Sequence, residues 1–199
     1  MDSKKTIAYH GSAALFDHFD PAHILEGDGK YKFGVGAYLT SRYETAALYA
    51  GKTGSKVRYV YTVEIPDLTD GNHLVSRLPV NPAILARAEK KLGEPIPAEA
   101  CTCGKFFRKY IGNTLIGFGK TVKQRTGSAS LEAEKAASAF LPTIGVVLLV
   151  WPTAQTKPDA GNNYALLDYS AFRILKVDSV ELDGKGQLVE GSQRTVKEY

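Results

Sequence analysis

The chain is poor in the residues that mark several protein classes. Only two of its 199 residues are cysteine, Cys101 and Cys103, a single C-x-C with no second pair and no adjacent histidine. A structural zinc site needs four ligands, so no metal site is expected, and neighbouring free thiols suit a reducing compartment. The lone tryptophan, Trp151, closes the longest apolar run, Ile144 to Trp151. That run is far shorter than the ~20 residues of a membrane helix, so no membrane partner is expected. The opening MDSKKTIAYHGS has two lysines but too short an apolar run for a signal peptide. The expectation is a cytoplasmic protein, with delivery into a target cell's cytoplasm by a signal-less route left open. No internal repeat or low-complexity segment is present.

What is there is an ordinary globular composition, 44% hydrophobic and 23% charged, on a length that fits one domain with a sizeable core. The net charge of +4 is unevenly placed: Asn81 to Ser130 holds nine Lys/Arg against three Glu. Basicity is confined to one stretch, and the rest of the chain is slightly acidic.

The centre of the pattern is Phe33 to Gly51, FGVGAYLTSRYETAALYAG. Gly34 and Gly36 lead into a short apolar strand, Ala37–Thr40, where glycine permits close approach of a ligand or another backbone. Ser41 with Glu44 reads as a capping box that opens a helix, and Gly51 reads as its stop. Thr6–Tyr9 reads as a strand ending at His10-Gly11-Ser12. A loop with turn signals follows, from Ala13 to Lys32. Lys56–Ile65 alternates as a period-2 strand, and His73–Val75 is another short one. From Asn81 the pattern turns helical: Asn81-Pro82 caps one helix, and Lys105–Gly112 and Ser128–Phe140 are two more, with Pro142 as breaker. TIGVVLLVWP reads as a strand buried on both faces. Tyr164–Tyr169, Ile174–Leu182 and an edge strand in the tail complete a strand-rich α+β core with a basic helical insertion over 81–140.

Four features point to chemistry: YHGS at 9–12, FGVGAYLT at 33–40, Tyr49, and NNYALLDYSAFRIL at 162–175. A histidine beside glycine at a strand end offers an imidazole and an exposed amide. A glycine-rich strand with an aromatic offers close approach and a stacking face. Together they suit a planar carboxamide, with offset stacking contributing ~0.5–1.5 kcal/mol beyond area burial. In this order the motifs resemble the ADP-ribosyltransferase superfamily, its diphtheria-toxin and poly(ADP-ribose)-polymerase branch and the compact bacterial and phage domains within it. His10-Gly11-Ser12 matches the family's HG[ST], Gly34–Leu39 its G-x-G-x-Y-[FL], Tyr49 its second stacking tyrosine, and Tyr164–Asp168 its late strand. The likeness covers roughly 5–65 and 143–180, and not the basic helices between.

The resemblance implies one domain over 1–199 with split mixed β-sheets, flanking helices and the helical insertion. It implies NAD as co-substrate. His10 would bond the nicotinamide-side ribose, Gly11 would clamp the carboxamide, and Ser12 would lie near the adenosine ribose. Gly36 would admit the donor, Tyr38 and Tyr49 would sandwich the nicotinamide ring, and the Asp20–Lys32 loop would be a lid. Where many relatives place a glutamate this chain has Asn163, which can bond a ribose hydroxyl but cannot be a general base. Transfer of a single ADP-ribose to a macromolecule is the expectation, in a toxin, effector or phage-conflict protein with an antitoxin or immunity partner. A non-catalytic module that reuses the NAD pocket is the alternative. The segment Lys105–Arg125, with Phe106, Phe107, Tyr110 and Phe118 among its cations, fits either a nucleic-acid surface or a helical subdomain with its aromatics inward.

Overall fold

In the computed structural model, which describes residues 5–21, 31–50, 58–153 and 161–199, the alternating segments form one mixed sheet. Its strands are β1 (Thr6–Ser12), β2 (Ala37–Thr40), β3 (Arg58–Ile65), β4 (His73–Val75), β5 (Leu148–Pro152), β6 (Asn162–Leu166), β7 (Arg173–Val180) and β8 (Arg194–Glu198). They lie in the order β4-β5-β6-β2-β1-β3-β7-β8. The architecture is α+β. β4 and β5 pair in parallel and every other neighbour pair is antiparallel. A parallel pair needs a long crossover. Here the crossover is the helical stretch: α2 (Pro82–Leu92), α3 (Gly104–Leu115), α4 (Val122–Gly127) and α5 (Leu131–Phe140). α1 (Tyr43–Ala50) follows β2.

Strand alternation assigns the two faces. Leu148 and Val150 join Ala8, Leu39, Tyr61 and Val177 in one apolar cluster, while Leu149 points the other way, into the cluster of α2, α3 and α5. β5 is therefore buried on both sides, as expected, but it takes only Leu148–Pro152 of the apolar run, since Leu141–Ile144 forms a 3-10 turn closed by Gly145. α1 packs on the helical face through Ala46 and Ala47 against Val60 and Val180.

Several element ends differ from the sequence expectation. α1 begins at Tyr43, because the Ser41 hydroxyl accepts the Asn162 N–H (2.9 Å) and the Ser41 N–H donates to the Asn162 carbonyl (2.8 Å). Ser41 adds a rung between β2 and β6 and does not form a capping box with Glu44. α3 runs through Gly112 to Leu115; that glycine is a contact, since a Cβ there would collide with the Ala133 carbonyl of α5. α4 was not anticipated, although Thr121 and Gln124 cap it reciprocally. α5 starts at Leu131, with the Ser130 hydroxyl accepting from Ala133 N–H. Gly51, Lys56, Val57, residues 22–30 of the expected lid and most of the 153–162 loop lie outside the described residues.

One buried ion pair joins α3 to α5 and to the segment that leads into β2. Arg108 of α3 donates from Nε to Glu134 Oε2 (2.7 Å) and from Nη2 to Oε1 (3.1 Å), and both side chains are 3% exposed. Arg108 Nη2 also donates to the Lys32 carbonyl (3.0 Å). Removing one partner strands a buried charge, at a cost of about 3–5 kcal/mol, whereas apolar replacement of both is often neutral. Arg108→Met and Glu134→Leu should each lower stability by that amount in urea unfolding, and the double variant should recover most of it. Additive losses in the double variant would show that the pair is not coupled.

Candidate functional site

The two four-stranded halves of the sheet meet at β1 and β2, and these strands share one residue pair, Tyr9 with Thr40. β1 by contrast pairs with β3 along its whole length, Thr6 to Ser12 against Ile65 to Tyr59. Past Tyr9–Thr40 the strands part, with His10-Gly11-Ser12 on one bank and Ala37-Tyr38-Leu39 on the other. A side chain bridges the gap: His10 Nδ1 lies 2.8 Å from the Tyr38 carbonyl oxygen. A carbonyl can only accept, so Nδ1 carries the proton, and the neutral ring keeps Nε2 as an acceptor.

The imidazole sits among aromatic rings, with centroids 4.9 Å from Phe19 and 6.0 Å from Phe16 and Tyr61. Phe16 and Tyr61 stack at 4.2 Å, and the Tyr61 hydroxyl accepts the Phe16 N–H (2.7 Å). Burial pushes the His10 pKa below its ordinary value, partly opposed by the bond to Tyr38.

The structure does not gather the predicted residues on one surface. Cross-strand partners share a face, and Tyr9, Thr40 and Asn163 lie in one row. Tyr38, two residues before Thr40, shares that face, so Asn163 is its diagonal neighbour at roughly 7–8 Å between strands. His10, paired with Tyr61, points to the opposite face, among Leu39 and Tyr164. Period-2 alternation thus sends the imidazole away from the Tyr38 ring, and it bonds the Tyr38 carbonyl. The Tyr38 ring stands edge-on to Trp151 (5.4 Å), and its hydroxyl donates to the Gly34 carbonyl (2.9 Å). Tyr49 is 49% exposed on α1.

The glycines have packing roles. A Cβ on Gly11 would collide with the Ala46 carbonyl, so α1 rests directly on the β1 backbone where the family likeness puts the carboxamide. A Cβ on Gly36 would collide with the Leu166 carbonyl. The Ser12 hydroxyl accepts the Ala14 N–H (3.0 Å) in a local turn. Asp168 also serves a turn, accepting from the Ser170 N–H and hydroxyl.

Polar atoms without partners collect on the face that carries Tyr38. Asn163 is 5% exposed and its Oδ1 accepts no hydrogen bond. Thr62 Oγ1, in the same row, is also unpartnered, as are Nε and Nη1 of Arg58 two residues beyond Val60. Buried orphans of this kind are uncommon in native proteins, and ligand sites are one place they occur. Arg58 was not singled out from the sequence. Its signal is a cation at a position whose neighbours on that face, Val60 and Thr62, are buried.

The basic segment is not one continuous track. Phe107 and Tyr110 are core residues and Arg108 is in the buried pair. Lys109 donates to the Gly127 carbonyl (2.6 Å), and Arg125 donates to the Gly119 carbonyl and lies over the Tyr110 ring (5.6 Å). Lys105, Lys120 and Lys123 remain exposed, with Phe106 and Phe118. The stretch is first a helical subdomain, as its amphipathic spacing allows. Among the described residues no helix is long and apolar enough to cross a membrane. Comparison of the chain with models of known families, with curated proteins and with solved structures finds no match.

The depressed histidine has a measurable consequence. Below about pH 6.5 the unfolded chain protonates His10 while the folded chain resists. Its stabilising contribution is therefore whole above about pH 6.5 and is lost as pH falls from there. Urea midpoints of the wild type and His10→Gln should diverge at pH 7.5 and converge toward pH 5. Parallel pH profiles in the two proteins would mean that the imidazole ionises freely in the fold.

Proposed function

We propose that the protein is an NAD-dependent mono-ADP-ribosyltransferase that modifies a macromolecule and releases nicotinamide. The observation that carries the reading is the parting of the sheet at Tyr9–Thr40, which puts the HGS strand end and the AYLT strand on the two banks of one split. The order of the four sequence motifs along the chain supports it. The unpartnered Asn163 Oδ1 beside Tyr38 supports it too, as an acceptor for a ribose hydroxyl of the donor.

In this reading the glycosidic bond from ribose C1′ to the nicotinamide nitrogen breaks, and its electron pair leaves with nicotinamide. A nucleophile on the acceptor bonds to C1′ and gives up its proton. Asn163 cannot take that proton, so the base belongs to the acceptor or to solvent, which suits a single transfer and not chain extension. Neutral His10, on the far face of the sheet, acts through its Nδ1–H bond to the Tyr38 carbonyl, holding the AYLT bank in place against the split. Tyr49, half-exposed on α1, is the second ring that the motif order assigns to stacking. Most of the rate then comes from holding donor and acceptor in line. The setting that fits is a toxin, effector or phage-conflict protein held in check by an antitoxin or immunity partner.

Incubation with nicotinamide-labelled NAD and a cell lysate should release nicotinamide. Tyr49→Ala should cut the rate about tenfold, the loss of one stacking contact. His10→Ala should cut it about a hundredfold. Binding of NAD with no release would instead favour the non-catalytic module that Asn163 allows, and release unchanged in both variants would remove the site.

A further inference from the structure

The segment that follows β1, residues 13–19, lies on the face of the sheet that carries His10 and Tyr61, opposite the Tyr38 ring. Among the described residues no backbone-to-backbone hydrogen bond ties it to the rest of the chain. Side chains hold it instead. Phe16 stacks on Tyr61 (4.2 Å, planes 11° apart), and Phe19 stands edge-on to His10 (4.9 Å) and to Phe172 (5.1 Å). The Tyr61 hydroxyl accepts the Phe16 N–H (2.7 Å) and lies 3.2 Å from the Ala14 and Phe16 carbonyls, to one of which it donates.

Two side chains from β8 and just beyond it close the segment down. Lys197 Nζ donates to Asp17 Oδ1 (2.6 Å), and the Tyr199 hydroxyl lies 3.4 Å from the same oxygen. A bulge gives Lys197 this reach. Val177 pairs with Lys197 and Asp178 with Thr195, so β8 carries one extra residue, Val196, between two rungs. In a regular strand Thr195 and Lys197 would share a face. Here Thr195 serves the buried Asp178 and Lys197 turns to the opposite side.

We infer that residues 13–19 are a latched strap that opens as a unit while the sheet stays folded, with the Lys197–Asp17 pair as its latch and Phe19 as its plug against His10. A segment whose backbone bonds end on side chains, and not on a ladder, belongs to the low-stability end of a fold. The latch is weak and screened by salt, since its two side chains are 39% and 70% exposed. Opening takes Phe19 off the imidazole whose Nδ1–H holds the Tyr38 carbonyl, and so acts on the split from behind. The strap supports the bank that carries Tyr38 and does not cover its ring. That the strap opens is independent of the function proposed above; that opening alters transfer rests on it.

Hydrogen exchange followed by NMR tests this, with the Phe16 amide reporting the strap and the amides of β3, flanked by β1 and β7, reporting the sheet. Phe16 should exchange faster than β3 in the wild type and slower than in an unfolded peptide. Lys197→Ala should speed Phe16 about two- to fivefold, the worth of one exposed ion pair, and leave β3 unchanged. Asp17→Asn should match it, and the double variant should add nothing to either. Raising the salt concentration should speed Phe16 in the wild type but not in Lys197→Ala. Phe19→Ala should speed it about tenfold or more. Three outcomes would overturn the inference: Phe16 exchanging only at the β3 rate, Phe16 exchanging without protection, or rates unchanged in both Lys197→Ala and Phe19→Ala. Faster Phe16 exchange with unaltered nicotinamide release would keep the strap and remove its tie to transfer. No release from any of the proteins would remove the transferase reading and leave the strap.

Discussion

A sheet whose halves share one residue pair cannot keep its own register, and the structure is arranged around that fact. Tyr9–Thr40 is a single rung between two four-stranded ladders. Other contacts fix how the ladders sit. The Ser41 rung to Asn162 locks the end of β2 to β6. α1 then crosses to the other half, laying Ala46 on Gly11 and sending the Tyr43 hydroxyl to Asp178 of β7 (3.1 Å). The helix after β2 therefore acts as a brace across the split. Only glycine at position 11 lets it lie close enough to do so.

This bracing explains what could and could not be read from the residues. Short apolar runs gave β2 and β4 to the residue, the period-2 run gave β3 within the described stretch, and the Asn81-Pro82 cap gave α2, because each rests on local geometry. The helical crossover was legible as a basic insertion, but not as the link that a parallel β4–β5 pair demands. Gly112 reads locally as a stop and serves as a contact, a distinction that depends on where α5 passes. The site was legible as a set of motifs but not as a surface. His10 is one residue from a position that would face Tyr38, and only the register of three strands decides which side it takes. The Phe33–Trp151 stack had no sequence signal beyond two large rings 118 positions apart.

Charge is placed with equal economy. The Arg108–Glu134 pair reaches from α3 and α5 to the Lys32 carbonyl, and the Ser138 hydroxyl accepts the Val35 N–H (3.0 Å). Residues 31–36, which lead into β2 and lay Phe33 on Trp151, are thereby held by the helices as well as by the sheet. The helical unit so fixes one wall of the split, and the basicity visible in the sequence is partly spent on this internal task.

Asp178 carries a last implication. Its carboxylate is wholly buried. Burial would raise its pKa, but donors from Thr195, Lys176 and Gln193 hold it below the usual carboxylate value. Two of those donors, Thr195 Oγ1 (2.8 Å) and Gln193 Nε2 (2.7 Å), come from the C-terminal edge strand and the turn before it. Drift in the tail is thus unevenly permitted. Val196 points outward and can change freely, whereas Gln193 and Thr195 are answerable to a charge they do not carry, and through Tyr43 to a helix far from them in sequence.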